Sequence, residues 1–109
     1  MSKLMIVEGK SDKERLLAIL DVEVEIVCTN GTLGTTALEA LLDSLVADEI
    51  YVLTDADEAG NRLRRQVRRE IPQARHLYTR KGYREVATTP LEHLAEMLQH
   101  GHFSVKSLG

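Results

Sequence analysis

Three acidic residues stand where two hydrophobic segments end. Glu8 closes Lys3-Leu4-Met5-Ile6-Val7-Glu8 and is followed by Gly9, while Asp55 and Asp57 follow Glu49-Ile50-Tyr51-Val52-Leu53-Thr54. Read as strands of an open parallel sheet, these segments end where such sheets bind ligands, at the crevice where the strand order reverses. Neighbouring strands lie about 4.8 Å apart, so adjacency would gather all three carboxylates into one small volume. Such a cluster is unfavourable unless a cation offsets it, and an all-oxygen set suits Mg²⁺ or Mn²⁺. Asp55 and Asp57, two apart in an extended segment, point the same way and can share a metal or its hydration shell. A simpler reading makes Asp57 a helix cap, but one cap needs one side chain and leaves Asp55 unexplained. Gly60, in the first turn of the helix that follows, costs about 1 kcal/mol relative to alanine. A glycine there is expected where another backbone or a phosphate comes close.

The same helix carries the second signal. Asn61-Arg62-Leu63-Arg64-Arg65-Gln66-Val67-Arg68-Arg69 holds five arginines. Arg62, Arg65 and Arg69 fall on one stripe with Arg64 and Arg68 beside them, leaving Leu63, Val67 and Ile71 as a thin buried face. A solvated amphipathic helix explains the pattern; so does a row of phosphate contacts that positions a nucleic-acid backbone without reading its sequence. Lys10 flanks Glu8, and Arg80, Lys81 and Arg84 extend the basic character. With Tyr51, Tyr78, Tyr83 and Phe103 as the aromatic residues, base stacking on aromatic platforms is not the main mode of recognition.

The elements that must position these groups alternate β-branched runs with helical periodicity, which predicts an α/β domain with a mainly parallel sheet of about four strands. Strands are expected over 3–8, 22–27, 49–54 and, near an edge, 75–79. Ser11-Asp12-Lys13-Glu14, Thr36-Ala37-Leu38-Glu39 and Thr89-Pro90-Leu91-Glu92 read as capping boxes. The first helix then buries Leu16, Leu17, Ile19 and Leu20. The second buries Leu38, Leu41, Leu42 and Leu45, and the last buries Leu91, Leu94, Ala95 and Leu98. The arginine helix starts at Asp57 or Glu58 and stops before Pro72. Residues 102–105 read as a short final strand.

At 109 residues the chain is expected to be a single domain, 1–109. Its formal net charge of −3 argues against a general polyanion binder, yet the charge is segregated, with acids dominating between Asp21 and Asp48. The start of the chain lacks a secretory pattern, and no apolar run reaches the roughly 18 residues of a membrane span. A lone Cys28 excludes an internal disulfide and fits a cytoplasmic protein with no membrane partner. His76, His93, His100 and His102 lack the Cys or acidic partners of a transition-metal set. The Gly31 and Gly34 loop lacks the lysine-hydroxyl end of a P-loop.

Val7-Glu8-Gly9-Lys10-Ser11-Asp12 followed by Thr54-Asp55-Ala56-Asp57-Glu58-Ala59-Gly60 resembles the toprim domain of topoisomerases, bacterial primases, certain nucleases and recombination proteins. Within it, Lys81-Gly82-Tyr83-Arg84-Glu85-Val86-Ala87 through Leu91-Glu92-His93-Leu94 is similar to the ribonuclease that matures 5S ribosomal RNA. The resemblance spans nearly the whole chain. It implies that Glu8 serves as general acid or base at a phosphodiester and that Asp55 and Asp57, with Glu8 beside them, hold Mg²⁺, or Mn²⁺. It implies chemistry on nucleic acid, structured RNA ahead of DNA, with Lys10, Arg62, Arg65, Arg69 and Lys81 contacting the strand.

Two departures qualify it. Topoisomerases carry another aspartate where this chain has Ala59, which leaves fewer ligands for a second metal. The domain with their tyrosine nucleophile and the C-terminal part of the 5S-maturing ribonuclease have no counterpart here. The leading expectation is therefore a minimal metal-dependent nuclease. The rival is a non-catalytic nucleic-acid-binding or adaptor module that keeps the metal site and relies on a protein partner. Receiver or phosphatase chemistry fits less well, because the aspartate pair follows the third strand and Lys106 is a poor match for the receiver lysine.

Overall fold

The computed structural model describes residues 2–30, 34–79 and 82–106. Its elements are β1 (Lys3–Val7), α1 (Lys10–Ile19), β2 (Glu25–Cys28), α2 (Thr35–Asp43), β3 (Glu49–Leu53), α3 (Glu58–Glu70), β4 (Arg75–Leu77) and α4 (Leu91–His100). The four strands form one sheet in the order β2-β1-β3-β4. All three pairings are parallel. β1 therefore lies between β2 and β3, and the chain reverses its direction of growth across the sheet there. That reversal puts the ends of β1 and β3 side by side.

Alternation along the two central strands divides the core in two. Met5 and Val7 of β1, with Tyr51 and Leu53 of β3, pack against Leu16 and Ile19 of α1 and Leu94 and Leu98 of α4. Leu4, Ile6, Ile50 and Val52 point the other way, onto Leu42 of α2 and Leu63 and Val67 of α3. A strand buried on both faces needs an unbroken apolar run, which is what β1 and β3 have.

Several local expectations need correction. α1 starts one residue before Ser11: Gly9 is its N-cap, and Asp12 accepts the Gly9 N–H at 3.2 Å. α2 starts from Gly34 and α4 from Pro90, neither with a side-chain cap. Thr89 instead donates its hydroxyl to the Glu85 carbonyl at 2.6 Å. Capping-box patterns recur by chance in charged helix starts, and the chain used other residues. Leu17 and Leu91 are 49% and 37% exposed, because each lies at the margin of a stripe already filled by its neighbours. The strands are shorter than their apolar runs, and residues 102–105 contribute one antiparallel bridge, Val105 with Leu20.

Arg64 departs most from expectation. It is 4% exposed and donates to the Leu77 carbonyl at 2.6 Å and contacts His76 Nδ1 at 3.1 Å. Its guanidinium stacks on Tyr78 at 4.1 Å from the ring centroid. This arginine ties α3 to β4 and is not part of an exposed row. Burial, then the charges of Arg68 and Arg64, push His76 down to about 4, so the ring is neutral in the folded protein at neutral pH. Its unfolded value is the ordinary one near 6.5. The unfolded chain then binds the extra proton, and this part of the stability is present above pH ~6.5 and lost as pH falls toward ~4. Urea unfolding at pH 7 and pH 5 should show a smaller loss between the two for His76→Gln than for the native chain; equal losses would contradict the buried neutral ring.

Candidate metal centre and adjoining groove

Because β1 and β3 are neighbours, Glu8 reaches the residue that leaves β3. Its Oε1 accepts the Asp55 N–H at 2.8 Å. Asp55 Oδ1 accepts the Val86 N–H at 2.8 Å, and Asp57 Oδ1 caps α3 by accepting the Gly60 N–H at 2.7 Å. Each carboxylate thus spends one oxygen on a backbone amide that fixes its orientation. The second oxygen of each accepts no hydrogen bond among the described residues. The cap reading of Asp57 is borne out, and the cap leaves its second oxygen unengaged among the described residues.

Burial raises the Glu8 carboxyl above its ordinary value; the Asp55 N–H opposes this, and the charges of Asp55, Asp57 and Asp12 add to it. Asp12 is a fourth acid at this end of the sheet. It is 5% exposed and is raised by burial and by the charge of Asp55. The sequence offered it only as part of a helix-capping pattern. Its position four residues after Glu8 was the available signal, since the first turn of α1 folds back over the strand end.

Gly60 has the close neighbour that its position implied. A Cβ built there would lie 2.1 Å from the Asp55 carbonyl oxygen and 2.8 Å from Thr54 Oγ1. The main chain carrying the aspartates therefore rests directly on the first turn of α3. A second support comes from the β4–α4 connection. Besides the Val86 amide on Asp55, the Ala56 N–H donates to the Arg84 carbonyl at 2.6 Å and Arg84 Nε donates to the Ala56 carbonyl at 3.3 Å.

A groove of about 580 Å³ opens beside Glu8, between α2 and α3, and Arg62, Arg65 and Arg69 line it. Arg65 also meets Glu58 at 3.2 Å, an exposed pair of the kind that contributes little and exchanges readily. Lys10 is exposed at the start of α1 and does not line the groove. Arg64 is buried, as described, and Arg68 donates to the Tyr78 hydroxyl at 3.1 Å. Lys81, Arg80 and Gly31 lie outside the described residues. Tyr51 is packing: it is 1% exposed and its ring meets Phe103 edge-on at 4.6 Å.

Among the described residues, the three carboxylates whose oxygens all lie within 4.8 Å of one another are Glu39, Asp43 and Glu70. Asp43 and Glu70 are the last residues of α2 and α3, at the opposite end of the sheet from Glu8. A hydrogen bond with Asp43, then burial and the charges of Asp43 and Glu39, raise the Glu70 carboxyl. At the other end, Glu8, Asp55 and Asp57 do not meet that 4.8 Å distance, though each keeps one oxygen unengaged among the described residues.

The toprim family model matches residues 3–88. The chain belongs to the toprim family. It is 44% identical over 108 residues to the uncharacterized protein YusF of Bacillus subtilis (strain 168), covering 99% of this chain and 74% of that protein. It is 32% identical over 79 residues to ribonuclease M5 of Lactiplantibacillus plantarum, covering 72% of this chain but 41% of that enzyme. A solved small TOPRIM domain protein from Bacillus stearothermophilus superimposes with a TM-score of 0.89 at 51% identity, over 97% of this chain and 90% of that one. Toprim domains generally bind divalent metal ions, and membership supports a nucleic-acid-related, metal-dependent function.

Because the Asp55 carbonyl has no room to retreat from an added Cβ, Gly60→Ala should destabilise the fold by about 1–3 kcal/mol. It should also weaken Mg²⁺-induced stabilisation, measured as the shift in melting temperature with and without the ion. A variant with native stability and a native Mg²⁺ shift would contradict the tight support described.

Proposed function

We propose that this toprim domain carries out Mg²⁺-dependent (or Mn²⁺-dependent) phosphodiester chemistry of the nuclease type, on structured RNA ahead of DNA. The observation that carries the reading is the Glu8–Asp55 contact at the switch point, which sets acids with unengaged oxygens beside an arginine-lined groove. Asp55 and Asp57, with Glu8, are the residues to hold the ion. When bound, a divalent ion polarises a phosphoryl oxygen and lowers the pKa of a coordinated water.

The chain's own groups supply the rest. Glu8, its carboxyl raised by burial and by neighbouring acids, suits carriage of a proton to or from the reacting oxygen. Asp57 is held by its cap to Gly60, and Asp55 by the Val86 amide, so neither has to reorganise as charge develops. Arg62, Arg65 and Arg69 hold the strand by its phosphates, giving register without sequence. The ribonuclease M5 likeness favours RNA. This chain covers 41% of that enzyme's length, so its maturation substrate is not carried over.

One observation favours the rival, a non-catalytic binding module: the oxygens of Glu8, Asp55 and Asp57 do not all come within 4.8 Å of one another. The two readings separate in solution. Cleavage of structured RNA and duplex DNA should require Mg²⁺ or Mn²⁺ and should fall by at least about 100-fold in Asp55→Asn and in Glu8→Gln. Binding that survives without turnover, in saturating Mg²⁺, would favour the module. Equal cleavage in native protein and both variants would exclude the assigned roles. Each of Arg62→Ala, Arg65→Ala and Arg69→Ala should lower the slope of log affinity against log salt by about 1, measured by fluorescence anisotropy; unchanged slopes would remove the arginine row from the interface.

A further inference from the structure

The groove contains two polar side chains that neither the fold nor the chemistry above employs. Gln66 is 7% exposed and lines it. Its Nε2 makes one long contact, 3.4 Å to Glu70 Oε1, and its Oε1 accepts no hydrogen bond among the described residues. Thr29 is 4% exposed and lines the same space. Its amide donates to the Val7 carbonyl at 2.9 Å, while its hydroxyl has no hydrogen bond among the described residues. Buried polar side chains are hydrogen-bonded in the large majority of structures. Among the described residues the side-chain atoms sealed from solvent without a partner are Arg15 Nε and His76 Nε2; the Gln66 and Thr29 oxygens are not among them, and as lining groups of the recess they are within reach of a ligand that enters it.

The walls indicate what kind. Leu38 of α2 and Leu63 of α3 give the recess apolar surfaces, and Arg62, Arg65 and Arg69 give it a cationic edge. α2 begins at Gly34 with no side-chain cap and no acid in its first turn, so its first amides also favour an anion there. Seven residues of helix separate Arg62 from Arg69, about 10 Å along the axis. Apolar faces, an amide and a hydroxyl in the interior, and cations along the edge match one nucleotide better than a stretch of backbone alone.

We propose that the recess between α2 and α3 receives a single unpaired nucleotide of the substrate strand, its base between Leu38 and Leu63 and its edge read by Gln66 and Thr29. The arginines then hold the phosphates on either side. The two helices pack against each other, so the gap admits a splayed base and not a duplex. Gln is well suited to this task because its amide presents a donor and an acceptor side by side, as in bidentate base contacts. Proteins that read RNA by sequence take hold of unstacked bases in the same way. The proposal rests on nucleic acid being the substrate and narrows it to strands with an unpaired base near the reacting phosphate.

The test needs neither metal nor turnover, which separates its outcome from that of the cleavage experiments. AMP, GMP, CMP, UMP and ribose 5-phosphate are titrated into the full chain in EDTA, followed by calorimetry or amide chemical shifts. At least one nucleotide should bind about tenfold more tightly than ribose 5-phosphate. Gln66→Leu should erase that difference and leave ribose 5-phosphate binding intact, and Thr29→Val should reduce it. An RNA hairpin with one bulged base should then bind more tightly than its fully paired counterpart, with the advantage lost in Gln66→Leu. Equal affinity for all five small ligands, or a base preference that survives both substitutions, overturns the pocket. Nucleotide binding without any advantage for the bulged hairpin overturns its assignment to a strand. Metal-dependent cleavage that persists with no dependence on Gln66 would sink this inference alone.

Discussion

Crowding like charges at one end of a sheet is the constraint around which this molecule is organised. Four carboxyl groups, from Glu8, Asp12, Asp55 and Asp57, gather there, and Glu8 is raised first by burial and then by the charges of the other three. Left to themselves, such groups would turn outward to water. They are held by backbone amides from Gly9, Asp55, Gly60 and Val86. Those amides are delivered by four different places in the chain, so the cluster exists only in the folded state. Its cost is borne by the two-sided apolar core beneath it, because β1 and β3 cannot separate without exposing both hydrophobic layers.

The cations are arranged to complement this cluster without cancelling it. Arg62, Arg65 and Arg69 stand along the groove next to Glu8, and no ion pair among the described residues links an arginine to Glu8, Asp55 or Asp57. Arg64, on the same helix, is used differently: burial lowers its pKa and its donors go to β4. One helix thus has an arginine for anchorage and others lining the groove, distinguished only by the face on which each falls. The local field is positive beside negative, although the whole chain is acidic.

Much of this was legible in the residues. The continuous apolar runs of β1 and β3 announced strands buried on both sides, and the acids after them announced the sheet end where ligands bind. Gly60 announced a close approach, and the Asp55 carbonyl is what approaches. The details that were not legible depend on tertiary contacts. Arg64 and Arg65 are adjacent and chemically identical, and only the position of β4 decides which is buried. Asp12 looked like part of a cap because its burial beside Glu8 depends on how α1 leaves the strand. Gln66 and Thr29 carry no motif at all, and their burial along the groove depends on tertiary packing.

The support that Asp55 receives from the β4–α4 connection has a consequence for how this surface can change over generations. The donor is the main-chain N–H of residue 86, not a side chain, and every amino acid except proline has one. Exposed positions of that connection can therefore change while the aspartate stays anchored, within the limit set by Val86, whose side chain is 0% exposed and packed in the core.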